Sequence, residues 1–159
     1  MTQLALTRRA ALAALTAAFG LGLRPALALE TPTAMRVVKD PACGCCGAWV
    51  EIIEAAGFAV TVEMMDHDAL QAHKAESGIP ADLASCHTAH VEGYVIEGHV
   101  PVADIRRLLQ DRPDAIGLSV AGMPYGSPGM GDEADREAYT VTLIRRDGTA
   151  EVFATYDAA

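Results

Sequence analysis

Three thiols stand within four positions, at a point where a strand must hand over to a helix. The stretch "DPACGCCGAW", residues 40–49, places Cys43, Cys45 and Cys46 around one glycine. Before it, "AMRVVKD" (34–40) reads as a short apolar strand stopped by Pro41. After it, "CGAWVEIIEAAG" puts Trp49, Ile52, Ile53 and Ala56 at i, i+3, i+4 and i+7, the spacing of one helix face, with Gly57 as the stop. The thiols are thereby fixed at a helix N-terminus, whose dipole favours the thiolate. The fourth and last cysteine, Cys86, stands in "SCHTAH".

The rest of the chain supplies partners for that strand and helix. "FAVTVEMM" (58–65) is β-rich, and its closing methionines, Met64 and Met65, are assigned to the core. Asp66 is placed to cap a second helix that runs to Gly78. Thr88 to Val91 and Tyr94 to Ile96 read as two strands around Glu92-Gly93. Pro101 opens a third helix, with Val102, Ile105, Leu108 and Leu109 on its apolar face and Pro113 beyond its end. The order β-α-β-α-β-β-α is that of a thioredoxin-like α/β domain, a central mixed sheet with flanking helices. Residues 113–137, rich in glycine and proline, are predicted to form a long functional loop or flap. Residues 139–156 form a C-terminal β-hairpin that turns at Asp147-Gly148. In such a sheet the turn carrying Cys43, Cys45 and Cys46 and the turn carrying Cys86 and His87 are neighbours at one edge.

The first 28 residues are not expected to join this domain. Arg8 and Arg9 precede an apolar run from Ala10 to Leu23, and Ala26-Leu27-Ala28 has small residues where a cleavage site needs them. This is the pattern of a secretory signal peptide, exported by the Sec or the twin-arginine route. The apolar run is shorter than the roughly 20 residues of a membrane span, so no span is expected after cleavage. Residues 29–159 then make one domain with a modest core. Without the leader's three arginines the formal charge goes from −9 to −12. With no basic cluster, that charge speaks against nucleic acid as a partner.

An exported chain lives where thiols tend to oxidise. A structural disulfide within residues 43–46 would close too small a loop to stabilise much, so the cluster is read as chemical. Cys43 and Cys46 form a CxxC, which suits a thiol-disulfide oxidoreductase. Cys45 and Cys86 would offer competing disulfides to such an enzyme. A single structural zinc usually takes ligand pairs from separate turns, and the diverging side chains of adjacent Cys45 and Cys46 suit that poorly. An interaction module built on such a zinc is a further alternative. An iron-sulfur cluster matches none of the usual spacings. Diverging thiolates can instead bridge several soft ions, and copper as Cu(I), which tolerates low coordination, is the expected ligand, more than one ion per chain.

Other candidate ligands are weaker singly. His87 adjoins Cys86, and His99 stands in "EGHVP" at a helix entrance, where a hydrogen-bonding role competes with a metal role. Met123 and Met130 flank "PYGSPG" in the flap; thioethers suit Cu(I), although methionines also fill apolar gaps. His67, His73 and His90 are assigned to the surface. Trp49 is assigned to the core. No nucleophilic triad, phosphate loop or dinucleotide fingerprint is present.

Three segments in order, "CGCCGAWVEIIEAAGF", "SCHTAHVEGYVIEGHVP" and "DAIGLSVAGMPYGSPGM", resemble the CopG-like family of small bacterial periplasmic proteins linked to copper resistance. The resemblance runs from about Val37 to Met130 and leaves the C-terminal hairpin outside it. It implies a thioredoxin-like fold and several Cu(I) ions bridged by Cys43, Cys45, Cys46 and Cys86. His87, His99, Met123 and Met130 match family motif positions. The expectation is a periplasmic Cu(I)-binding protein for copper tolerance, acting by sequestration, transfer or redox conversion. A binding role is preferred to that of a copper-dependent oxidoreductase. Its partners are copper ions, with another periplasmic copper protein as a candidate.

Overall fold

The computed structural model describes residues 31–159. The expected signal peptide and its cleavage site lie outside the described residues. Seven strands form one mixed sheet: β1 (Ala34–Lys39), β2 (Ala59–Met64), β3 (His87–Val91), β4 (Tyr94–Glu97), β5 (Gly117–Ser119), β6 (Tyr139–Ile144) and β7 (Ala150–Tyr156). Three helices accompany them: α1 (Gly44–Ala55), α2 (His67–Glu76) and α3 (Val102–Asp111). The spatial order is β2-β1-β3-β4-β5-β6-β7. The β1–β2 and β4–β5 pairs are parallel and the others antiparallel. No helix among the described residues is long and apolar enough to cross a membrane.

Side chains on successive strand positions point to opposite faces. On one face Met35, Val37, Ala89, Val91, Ile96 and Leu118 form the main core with Trp49 and Ile53 of α1 and Ile105 and Leu108 of α3. On the other, Val95 and Ile144 pack with Ile79 in a smaller cluster, and α2 lays Lys74 against Thr88 and Glu97. Trp49 is fully buried, and its indole N–H donates to the Val100 carbonyl at 3.0 Å. The buried face of α1 is Cys46, Trp49, Val50 and Ile53. The i, i+3, i+4, i+7 stripe therefore starts at a cysteine, while Ile52, expected on it, is 38% exposed.

Asp66 caps α2 as expected, its carboxylate accepting from Ala69 N at 2.9 Å. Glu92 and Gly93 both have positive φ, 46° and 85°, which makes the tight β3–β4 turn. Two expectations need correction. Met64 is 56% exposed and Met65 only half-buried, because β2 is an edge strand with exposed residues along most of its length. Part of the segment read as a flap is β5, whose Leu118 is fully buried between β4 and β6. That strand joins the C-terminal hairpin to the main sheet, and the flap proper begins beyond Val120. Buried Asp104 on α3 accepts from Tyr156 O–H at 2.7 Å and fastens the hairpin to the helix layer.

Candidate metal centre

Helix α1 begins immediately after Cys43, its N-cap residue, and no side chain caps it. Its free N–H groups and dipole therefore act on Cys45 and Cys46 in the first turn. Strand β3 begins directly after Cys86 and runs antiparallel to β1, with Lys39 opposite His87. This pairing delivers Cys86 to the cysteine turn from forty residues away. The sulfurs of Cys43, Cys45, Cys46 and Cys86 lie within 4.8 Å of one another. Cys43 and Cys46 are joined as a disulfide with Cα atoms 5.5 Å apart, and Cys45 and Cys86 are free. Cys43 Sγ lies 3.6 Å from Cys45 Sγ.

A second ligand group shares Cys86: Cys86, His87 and His99 also present donor atoms within 4.8 Å of one another. His99 Nε2 stands 3.1 Å from Cys86 Sγ, and His99 Nδ1 stands 2.8 Å from the Pro128 carbonyl. A carbonyl only accepts, so Nδ1 carries the proton and Nε2 turns its lone pair towards the sulfur. His87 Nδ1 is 3.4 Å from Cys86 Sγ. His87 Nε2 is buried without a hydrogen-bond partner, and the ring packs against Trp49 at 4.4 Å and His99 at 5.2 Å between centroids. An orphaned buried ring nitrogen is costly; Nδ1 is the nitrogen that faces Cys86 and could share an ion with it.

Electrostatics prepare these donors unequally. Burial and the neighbouring Cys45 push the Cys86 thiol up to about 12, so it stays protonated until something displaces the proton. Burial holds His87 well below its usual value, helped by His99, Lys74 and Lys39, and burial also lowers His99. Both imidazoles are therefore neutral and free to ligate at neutral pH. With the Cys43–Cys46 disulfide reduced, four thiols and two neutral imidazoles would make a donor set that fits a soft ion.

Three features hold the site in place. Fully buried Glu97 accepts from Ser85 N at 2.6 Å, Lys74 Nζ at 2.7 Å and Thr88 O–H at 2.7 Å. Its carboxylate thus ties α2, β3 and the turn before Cys86 together. Ser85 O–H in turn donates to the Gly122 carbonyl. The flap closes from the far side: Gly129 has φ +83°, and a Cβ there would stand 2.7 Å from the Trp49 backbone nitrogen. A cavity of about 310 Å³, lined by Asp40, Cys43, His67, Leu70 and Cys86 among others, opens onto the thiols.

All four cysteines, His87 and His99 converge. Of the two methionines, Met123 is 56% exposed and Met130 half-buried. His67 is exposed as expected, but His73 and His90 are half-buried and paired, with Nε2 atoms 2.9 Å apart. Lys39, Lys74 and Glu97 were not singled out from sequence. Charged residues at the ends of strands and on a helix read as surface, and only their burial reveals them.

A family model described as "Protein of unknown function, DUF411" matches residues 83–130, from the approach to Cys86 through to Met130. Two solved structures are similar over nearly their whole length. One is titled "Copper resistance protein copG- Form 1", with 42% identity, TM-score 0.74, and coverage of 80% of this chain and 99% of that one. The other is "Copper resistance protein copG- Form 2", with 44% identity, TM-score 0.73, and coverage of 79% and 98%. The chain belongs to the CopG-like copper-resistance family. A comparison with curated proteins returns no match. In this CopG-like chain the cysteine cluster, which could hold metal, and the copper-resistance relatives point to a copper-related function. The strands β6 and β7 lie beyond the three segments that resemble the family, yet structural similarity extends over 80% of the chain.

Proposed function

We propose that this chain is a periplasmic copper-tolerance protein that holds several Cu(I) ions on Cys43, Cys45, Cys46 and Cys86. The observation that carries this reading is the convergence of all four sulfurs within 4.8 Å. One tetrahedral ion would need four thiolates aimed at a single point. Adjacent Cys45 and Cys46, with Cys86 approaching from another strand, are instead placed to bridge. His87 and His99 cap the cluster at the Cys86 side, and the flap with Met123 and Met130 closes over it. The frame is read as thioredoxin-like, supported by the strand order β2-β1-β3-β4 with β1 and β2 parallel. The leader pattern supports the periplasm. Copper is here the cargo, stored, handed to another periplasmic protein or changed in oxidation state.

The Cys43–Cys46 disulfide favours a second reading, thiol-disulfide exchange. Binding through all four thiolates first requires that bond to be reduced, with two electrons taken up.

The deciding experiment counts copper and free thiol per chain on residues 29–159, reduced, loaded anaerobically with Cu(I) and desalted. More than one retained copper with all four thiols protected is expected. One zinc per chain after zinc loading, with little copper held, would identify a structural site. No retained metal and a reversible Cys43–Cys46 disulfide would establish the exchange enzyme instead.

A further inference from the structure

The face of the sheet that carries α2 has chemistry that the thiol centre does not use. His73, near the end of α2, and His90, on β3, bring their Nε2 atoms to 2.9 Å, with ring planes at 72° and centroids 5.1 Å apart. His90 lies three residues along β3 from His87, roughly 10 Å at the rise of a strand, and on the opposite face. His87 packs against Trp49 of α1, whereas His90 meets α2.

We propose that His73 and His90 form a second metal site, a two-imidazole chelate for Cu(II), separate from the thiol cluster. Imidazole nitrogen is a borderline ligand that suits Cu(II), whose preferred arrangement is tetragonal. Two nitrogens bound at ordinary metal–nitrogen lengths stand about 2.9 Å apart at a right angle and about 3.3 Å apart at the tetrahedral angle. The observed separation matches the right angle. The two ligands come from a helix and a strand already locked by the Lys74–Thr88 and Lys74–Glu97 contacts one residue away from His73. The spacing is therefore already that of a chelate, and binding has only to break the N–H···N hydrogen bond and turn the rings towards the ion. Burial, Arg36 and His73 push His90 down to about 4, so its ring is neutral across the physiological range.

Among the described residues no carboxylate or thiol completes a three-ligand group here. Both rings are half-buried, so water can fill the remaining positions. Arg36 sits opposite His90 on β1 and opposes a cation, but its guanidinium is held at 2.8 Å by Glu63. In the free protein one ring donates its Nε2–H to the other. On binding, that ring moves its proton to Nδ1, both Nε2 lone pairs face the ion, and no net proton is released.

The test uses protein loaded with Cu(I), desalted, and titrated with copper(II) sulfate under electron paramagnetic resonance. We expect one Cu(II) per chain with coupling to two imidazole nitrogens. His73→Gln and His90→Gln should each weaken it at least tenfold and leave the Cu(I) content unchanged. Glutamine keeps a hydrogen-bonding group at each position, and thermal melting checks the fold. Substoichiometric Cu(II) on the wild-type protein should broaden the ring resonances of His73 and His90 before any other histidine, a readout that needs no variant. Absence of the two-nitrogen signal in wild type, its survival in either variant, or broadening that begins at another histidine would overturn the proposal. Where the thiols hold no Cu(I), they are alkylated before the titration so that they cannot reduce Cu(II), and the failure of this site stays distinct from that of the cluster.

Discussion

Cys86 belongs to both ligand groups, which makes it the residue that most directly tests the centre. Cys86→Ser should lower the copper retained per chain by at least one ion without unfolding the domain, since serine nearly preserves the shape of the side chain. The pH dependence follows from its environment. Burial and Cys45 keep the thiol protonated, up to about 12, so Cu(I) must displace a proton at Cys86. His87 and His99 are already neutral and release none. Affinity should therefore rise with pH, by about tenfold per unit for each proton displaced. Between pH 6 and 8 the slope of log K against pH should fall by about one in Cys86→Ser. Unchanged copper content by elemental analysis, with an unchanged slope, would remove Cys86 from the ligand set.

Elements decide whether these residues meet. Gly129 is the contact through which the flap docks on α1, and it holds Pro128 against His99. In Gly129→Ala the new methyl meets backbone, and positive φ adds strain of about 1–2 kcal/mol for a non-glycine residue. The flap should lift, His99 should lose its carbonyl partner, and a Cu(I) chelator should remove copper faster. Copper loss at the wild-type rate would mean the flap does not retain the ion. Glu97 acts from the other side. Glu97→Gln leaves Lys74 buried without its counter-ion, a change that typically costs about 3–5 kcal/mol. Chemical denaturation of the metal-free protein measures it, and a loss under 1 kcal/mol would show that the pair is dispensable.

These same elements mark what could be read in advance. The Asp66 cap and the Glu92-Gly93 turn are local, so the sequence displays them; the α1 stripe was legible in Trp49 and Ile53 but not in its phase, since Ile52 is exposed and Cys46 and Val50 are buried. The thiols, His87 and His99 were legible because their chemistry belongs to the residue type. The three-residue β5 was not, because the alternating Ile116, Leu118 and Val120 are too few to stand out at the start of a stretch read as a Gly/Pro-rich loop. Met64 and Met65 were misplaced because strand composition does not distinguish an edge from a centre. The buried Lys74–Glu97 pair and the His73–His90 contact exist only once α2 lies across β3 and β4.

At the scale of the whole molecule, three neutral histidines set the response to acid. His87, His90 and His99 are all held below the usual 6.5, His90 at about 4, with burial as the leading cause in each. An unfolded chain takes up protons at these rings near pH 6.5, while the folded protein refuses them until lower pH. Between those values the unfolded state binds more protons, so stability is fully present above pH 6.5 and falls as pH drops towards 4. The net charge of the chain works in the opposite direction. At a formal −9, protonation relieves self-repulsion and favours the compact state. The histidines should dominate near pH 6, because most carboxylates are still ionised there. The denaturation midpoint of the metal-free protein should therefore fall from pH 7 to pH 5, and less steeply in His90→Gln, which removes one of the three rings. A midpoint that stays level or rises over that range would mean that charge relief outweighs histidine burial. An unchanged slope in His90→Gln would place the acid sensitivity in the thiol-side pair, His87 and His99.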